Sequence, residues 1–152
     1  MFTLPIRQKC VMYITHHNRL LVFDHPDSPE AGTQVPAGTL HYKEQPEIAA
    51  LREAEEETGL TNLRLDGLLG ERVLDLTPYG KPEIHRRFFY HLICDDDEVQ
   101  ERWIHHESDP SQGKGNPIPF DLYWVDLNAD TLPELSAEQG ELLADLLAKL
   151  GL

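Results

Sequence analysis

The stretch from Gly38 to Leu60, GTLHYKEQPEIAALREAEEETGL, decides how the rest of the chain is read. Pro46 suits a first helical turn, Ala, Leu, Glu and Arg fill the interior, and Gly59 is a natural stop, so the spacing predicts a helix over Pro46–Thr58. At about 100° per residue, Glu53, Glu56 and Glu57 fall within an arc of roughly 100°. Ala50, Leu51 and Ala54 then lie on the other side, small and apolar enough to pack on a sheet, which leaves the acids facing a cleft. Like charges at these spacings cost a helix about 0.2–0.5 kcal/mol per pair. A hard divalent cation is an economical compensation, because Mg2+ takes carboxylate and water oxygens and shares its sphere with substrate phosphates. A solvated Glu-rich face is the plain alternative, and residues outside the helix decide between the two.

Upstream of this stretch, Cys10–Ile14 and Leu20–Phe23 flank the polar His16-His17-Asn18-Arg19 and read as a β-hairpin with its turn in solvent. A Pro, Asp and Gly-rich loop, Asp24–Gly32, leads to a short strand over Gln34–Gly38. Downstream, Leu63–Leu76 and His85–Cys94 read as strands joined by the turn TPYGKP at Thr77–Pro82. Asp95–Phe120 is a polar stretch long enough to suggest function or an insertion. Asp121–Leu127 reads as a further strand, and Ser136–Leu150 as an amphipathic helix with Ser136 and Glu138 at its cap. Strands mixed with two well-separated helices predict an α/β chain, a sheet covered on its faces, in one domain spanning 1–152.

Composition narrows the partners. Lys plus Arg number 13 against 27 Asp plus Glu, a formal charge of -14, which repels a long nucleic-acid backbone while leaving a small anion bound through cations feasible. Cys10 and Cys94 stand apart from any CxxC pair and read as buried free thiols. The first residues lack an apolar stretch of signal-peptide or transmembrane length, so no membrane partner is expected and the location expected is cytoplasmic. The pairs His16-His17 and His105-His106 lack supporting Cys or helical HxxxH spacing and are poor metal ligands.

Gly38, five residues, Glu44, seven residues, then Arg52-Glu53-Ala54-Glu55-Glu56-Glu57-Thr58-Gly59-Leu60 resemble the Nudix box, G(x5)E(x7)REUxEExGU with U apolar. All seven fixed identities match, and the departure, Ala54 where a bulkier aliphatic is usual, still suits an inward-facing position. The resemblance, to MutT-like Nudix hydrolases, implies an α/β/α sandwich with a mixed β-sheet. It also implies water attack on phosphorus in a small-molecule nucleoside diphosphate derivative, with Mg2+ or Mn2+ as cofactor. Carried over residue by residue, Glu53, Glu56 and Glu57 supply metal-ligand carboxylates, the Gly38 carbonyl approaches the same ion, and Glu44 and Arg52 orient them. Glu53 is one candidate base. Family members also use a carboxylate outside the box, and among Asp95, Asp96, Asp97, Glu98 and Glu101 the choice falls on Glu98.

Lys81, Arg86 and Arg87 are candidate phosphate contacts, and Tyr79, Phe88, Tyr90, Trp103 and Trp124 candidate base-stacking rings, though strand aromatics usually belong to a core. Two other functions fit the same box: a regulatory module that binds a nucleotide without cleaving it, and an RNA-end pyrophosphohydrolase, which would want a basic track. Intact box acids favour catalysis. A homodimer is compatible with the resemblance, and the nucleotide itself is left open.

Overall fold

The computed structural model describes residues 3–107, 117–130 and 132–152. The chain runs β1 (Ile6–His16), β2 (Arg19–Asp24), β3 (Ala37–Thr39), α1 (Pro46–Thr58), β4 (Leu63–Asp75), β5 (Ile84–Cys94), β6 (Arg102–Glu107), β7 (Ile118–Asp126) and α2 (Leu143–Leu150). The strands form one mixed sheet in the order β4-β5-β1-β2-β7-β6, with β3 also on β1. β1 and β5 are parallel from Ile6↔Ile84 to Thr15↔Ile93, and the remaining ladders are antiparallel. β2 pairs with β1 only beside the turn, at Thr15↔Leu20 and His16↔Arg19, while β3 takes the other part of β1 at Lys9, Cys10 and Val11. Between these two contacts the sheet is splayed, and the splay leaves room for a cleft.

Side chains alternate across a strand, and β1 shows what each face covers. Cys10, Met12 and Ile14 face α1 and share a core with Ala49, Ala50 and Ala54. Val11 and Tyr13 face the other way and pack with Leu142 and Leu146 at α2. One helix on each face of a mixed sheet is the α/β/α sandwich that the sequence implies. The alanines let the α1 backbone lie close to the sheet, while burial of leucine side chains, about 1.5–3 kcal/mol each, fixes the opposite layer.

The predicted bounds of α1 hold at both ends. Gly59 adopts φ 78°, and its N–H donates to the Glu55 carbonyl, closing the helix. The C-terminal helix is much shorter than Ser136–Leu150. Ala137 and Glu138 have φ 53° and 59°, outside right-handed helix, so Ser136–Glu138 is only a short turn and α2 begins at Leu143. Ser136 Oγ donates to the Ala31 carbonyl at 2.6 Å instead of capping a helix. The short strand after the first loop is Ala37–Thr39, not Gln34–Gly38, and Gln34 forms only an isolated bridge to Phe23. The hairpin turn is not wholly in solvent either, since His16 is buried. Finally, the polar stretch Asp95–Phe120 contains a strand that the sequence reading did not separate, β6, paired along β7. The rest of it, 108–116, lies outside the described residues.

Candidate active site

The acids of α1 do not stand apart from its packed side. Ala49, Ala50 and Ala54 are fully buried, but Glu53 and Glu57 are also buried, at 3% and 5% exposure, and Glu56 is exposed at the rim. The expected division into an apolar face and an acidic face is therefore corrected. α1 packs on β1 and β3, which places the Glu53 and Glu57 carboxylates beside β3 at the splay.

Glycine at 38 follows from this placement. A Cβ built there would lie 2.1 Å from Glu53 Cδ, so any side chain would displace the carboxylate. On the next turn, Glu57 Oε2 accepts a hydrogen bond from the Ala37 N–H at 3.1 Å. Arg52 holds the outer part of the cluster: Nε and Nη2 donate to the two oxygens of Glu44 at 2.8 and 2.9 Å, and Nη1 donates to Glu53 at 3.0 Å and Glu56 at 3.2 Å. Nη2 also donates to the Thr39 carbonyl at 3.2 Å, which ties the helix to β3. The guanidinium pulls the Glu44 carboxyl down to about 2. Glu57 behaves oppositely: burial above all, then the charges of Glu107 and Glu53, push it well above the ordinary carboxylate range.

The cleft has a volume of about 400 Å3. Its lining includes the acids Glu53, Glu57 and Glu107, the rings of Phe23, Phe120 and His25, and the basic side chains of Lys9, Lys81, His85 and Arg87. The candidate residues Gly38, Glu44, Arg52, Glu53, Glu56 and Glu57 are thus brought together. Glu98 is not: it is exposed and lines a separate depression with Thr58, Trp103 and His105. Among the described residues, the acid outside the box that reaches the cleft is Glu107, the last residue of β6. Burial alternates along Arg102–Glu107, but the residue types Trp103-Ile104 and His105-His106 do not, so the sequence carried no period-two signal for it.

Among the candidate cations, Lys81 and Arg87 line the cleft, while Arg86 pairs with Glu71 at 3.0 Å on the surface. Phe88, Tyr90 and Trp124 are core residues, and Trp103 packs against that core. The rings at the cleft are instead Phe23 and Phe120, stacked at 4.2 Å, with the His25 ring edge-on to both. Among the described residues, no three His, Cys, Asp or Glu side chains are grouped so that they could hold a metal ion. Glu53 and Glu56 are both drawn to Arg52.

The Nudix domain model matches residues 6–146, nearly the whole chain. The chain belongs to the Nudix hydrolase family. Solved structures agree on the fold. A Nudix hydrolase from Nitrosomonas europaea superposes with a TM-score of 0.64 at 18% identity, over 95% of this chain and 90% of that one. The Ap4A hydrolase of C. elegans gives 0.57 at 22% identity, over 95% and 98%. A UDP-X diphosphatase gives 0.63 at 19% identity, over 99% of this chain but 66% of its own, so the Nudix chain described here spans just under two thirds of that protein. No curated protein sequence matches the chain significantly. Among the described residues, no helix is long and apolar enough to cross a membrane.

Proposed function

We propose that this Nudix hydrolase cleaves a diphosphate linkage in a nucleoside diphosphate derivative, with Mg2+ or Mn2+ held by Glu53, Glu56, Glu57 and the Gly38 carbonyl. The observation that carries the reading is the burial of Glu53 and Glu57 at the mouth of a cleft that Glu107 also lines. Like-charged carboxylates in a dry site are costly unless a cation joins them. The donors are all oxygen, which suits a hard divalent ion, and the missing Cβ at Gly38 leaves the space beside Glu53 that such a set needs. When bound, the ion neutralises phosphate charge, polarises the phosphorus centre and lowers the pKa of a coordinated water.

The chain's own residues do the rest. Arg52, anchored to Glu44 and the Thr39 carbonyl, fixes the directions of Glu53 and Glu56. Glu107, which lines the cleft with Glu57 and whose charge acts on it, takes the proton from the attacking water in this reading, the role expected above of Glu98. Phe23 and Phe120 offer an apolar wall for a base or sugar.

The test is nucleotide or phosphate release from a panel of nucleoside diphosphate derivatives, with and without Mg2+ or Mn2+, for wild type and Glu57→Gln. Release that needs both the metal and Glu57 supports the assignment. Nucleotide binding with no release across the panel would replace it with the regulatory reading.

A further inference from the structure

Opposite the acids, the same cleft carries positive charge that the protein does not neutralise. Parallel pairing of β1 with β5 sets Lys9 beside Arg87 and Arg7 beside His85, and antiparallel pairing with β3 sets Thr39 on the other side of Lys9. Adjacent strands lie about 4.8 Å apart, so Arg87, Lys9 and Thr39 form a row across three strands. Residues two apart on a strand share a face, which adds His85 and Arg7 as a second row. The second row is balanced: Glu83 bonds Arg7 at 2.9 Å and His85 at 2.8 Å.

The first row is not balanced. Arg87 is only 6% exposed, and its Nη1 donates to a neutral acceptor, the Ala137 carbonyl, at 2.5 Å. Lys9 Nζ donates to Thr39 Oγ1 at 2.5 Å, also neutral. Neither makes an ion pair with a described residue. Of the acids whose fields reach them, Glu83 holds Arg7 and His85, Glu53 is bonded by Arg52 at 3.0 Å, Glu141 pairs with Arg72 at 3.5 Å, and Glu138 is exposed. Burial of such cations is costly unless an anion completes them. Desolvation accordingly lowers the affinity of both Lys9 and Arg87 for their protons. Lys81 stands at the same cleft from the turn before β5.

We propose that Lys9 and Arg87, with Lys81 at the cleft, form a second phosphate subsite that binds a phosphoryl group lying outside the diphosphate held at the acids. The subsite rests on the proposed reaction for its place in the substrate. It narrows the substrate class to nucleotides whose chain carries an additional phosphate, such as a nucleoside triphosphate or a dinucleoside polyphosphate, in preference to a nucleoside diphosphate joined to an uncharged sugar. An uncharged group would leave the buried Arg87 and the half-buried Lys9 without an anion. The positive charge and the stacked phenyl rings line one cleft, which suits a ligand that carries both a base and phosphate.

Calorimetric titration of inorganic phosphate into the full chain without added metal tests the subsite independently of turnover. Wild type, Lys9→Met, Arg87→Lys and Glu57→Gln are compared, with thermal unfolding confirming that each is folded. Phosphate should bind to wild type and to Glu57→Gln, bind at least about tenfold more weakly to Lys9→Met, and bind measurably to Arg87→Lys, which keeps the charge. No binding to wild type, or equal binding to Lys9→Met, overturns the subsite. The substrate consequence is read from the ratio of kcat/KM for a nucleoside triphosphate to that for a nucleoside diphosphate sugar. That ratio should favour the triphosphate in wild type and fall about tenfold or more in Lys9→Met. A wild-type ratio favouring the sugar overturns the substrate assignment. Loss of the proposed reaction would instead appear as phosphate binding retained with no turnover of any nucleotide.

Discussion

Each face of the sheet carries a polar cluster next to a helix, and the two clusters are built on opposite plans. On the α2 face, His91 is buried, Thr15 Oγ1 meets its Nε2 at 2.7 Å, and Lys149 Nζ donates to its Nδ1 at 2.9 Å. Lys149 also pairs with Asp66 at 2.8 Å, so one cation meets one anion and a neutral ring completes the set. On the α1 face, Arg52 bonds Glu44, Glu53 and Glu56 together, and Glu57 and Glu107 line the cleft beside them. The first cluster holds α2 to β4 and is complete without a ligand. The second gathers more acids than Arg52 alone bonds, which is the pattern expected of a working site if the proposed metal completes it.

The contrast predicts different consequences when each cluster is altered. The largest effect belongs to Glu57→Gln, which should lower metal-dependent turnover by roughly a hundredfold or more while leaving the unfolding temperature unchanged or higher, because an amide there no longer opposes Glu53 and Glu107. Parallel turnover and melting measurements check it, and a matched loss of stability would place Glu57 among the structural residues. Gly38→Ala comes next. Its Cβ would overlap Glu53, so turnover should fall about tenfold or more and stability by about 1–3 kcal/mol, read by kinetics and denaturant unfolding.

On the balanced side the effect is on stability and depends on pH. Burial first, and the Lys149 charge second, hold His91 at about 4, below its ordinary 6.5. Between those values the unfolded chain binds a proton that the folded chain refuses. The His91 contribution is therefore fully present above about pH 6.5 and declines as pH falls toward 4, by on the order of 2 kcal/mol. Denaturant unfolding across that range should show a shallower decline in His91→Gln than in wild type, and identical slopes would remove His91 from the account. The smallest effect is assigned to Glu98→Gln, whose turnover should stay within about twofold of wild type, since Glu98 lines a different depression. Glu107→Gln is its counterpart and should lose at least about tenfold.

How much of this was legible in the sequence differs between the same two regions. The bounds of α1 could be read because each is set by a local rule, Pro46 at one end and Gly59 in the left-handed region at the other. The box fixed which acids gather, but not that Glu53 and Glu57 are buried while Glu56 stays outside, because that depends on how α1 packs on β1 and β3. The expected long C-terminal helix failed where tertiary bonds outweigh propensity: Arg87 takes the Ala137 carbonyl and Ser136 reaches Ala31, which holds Ala137 and Glu138 away from helical geometry. Glu107 was hidden for a similar reason, since an edge strand such as β6, with Arg102, Ile104 and His106 in solvent, resembles a polar loop until its partner β7 is known.

The parallel ladder between β1 and β5 has a consequence for the order in which the molecule can be made. Pairing Ile6 with Ile84 joins segments far apart in sequence, and loop-closure entropy resists such a contact until most of the intervening chain is available. At about 5–20 residues per second, a ribosome releases the whole Gly38–Leu60 segment seconds before Ile84–Cys94 follows it. Through that interval Glu53, Glu56 and Glu57 have been made with no completed sheet for their segment to pack on. Lys9 likewise waits for Arg87, so both ends of the cleft take shape together when the late strand docks, and a nascent chain halted before Ile84 should lack them both.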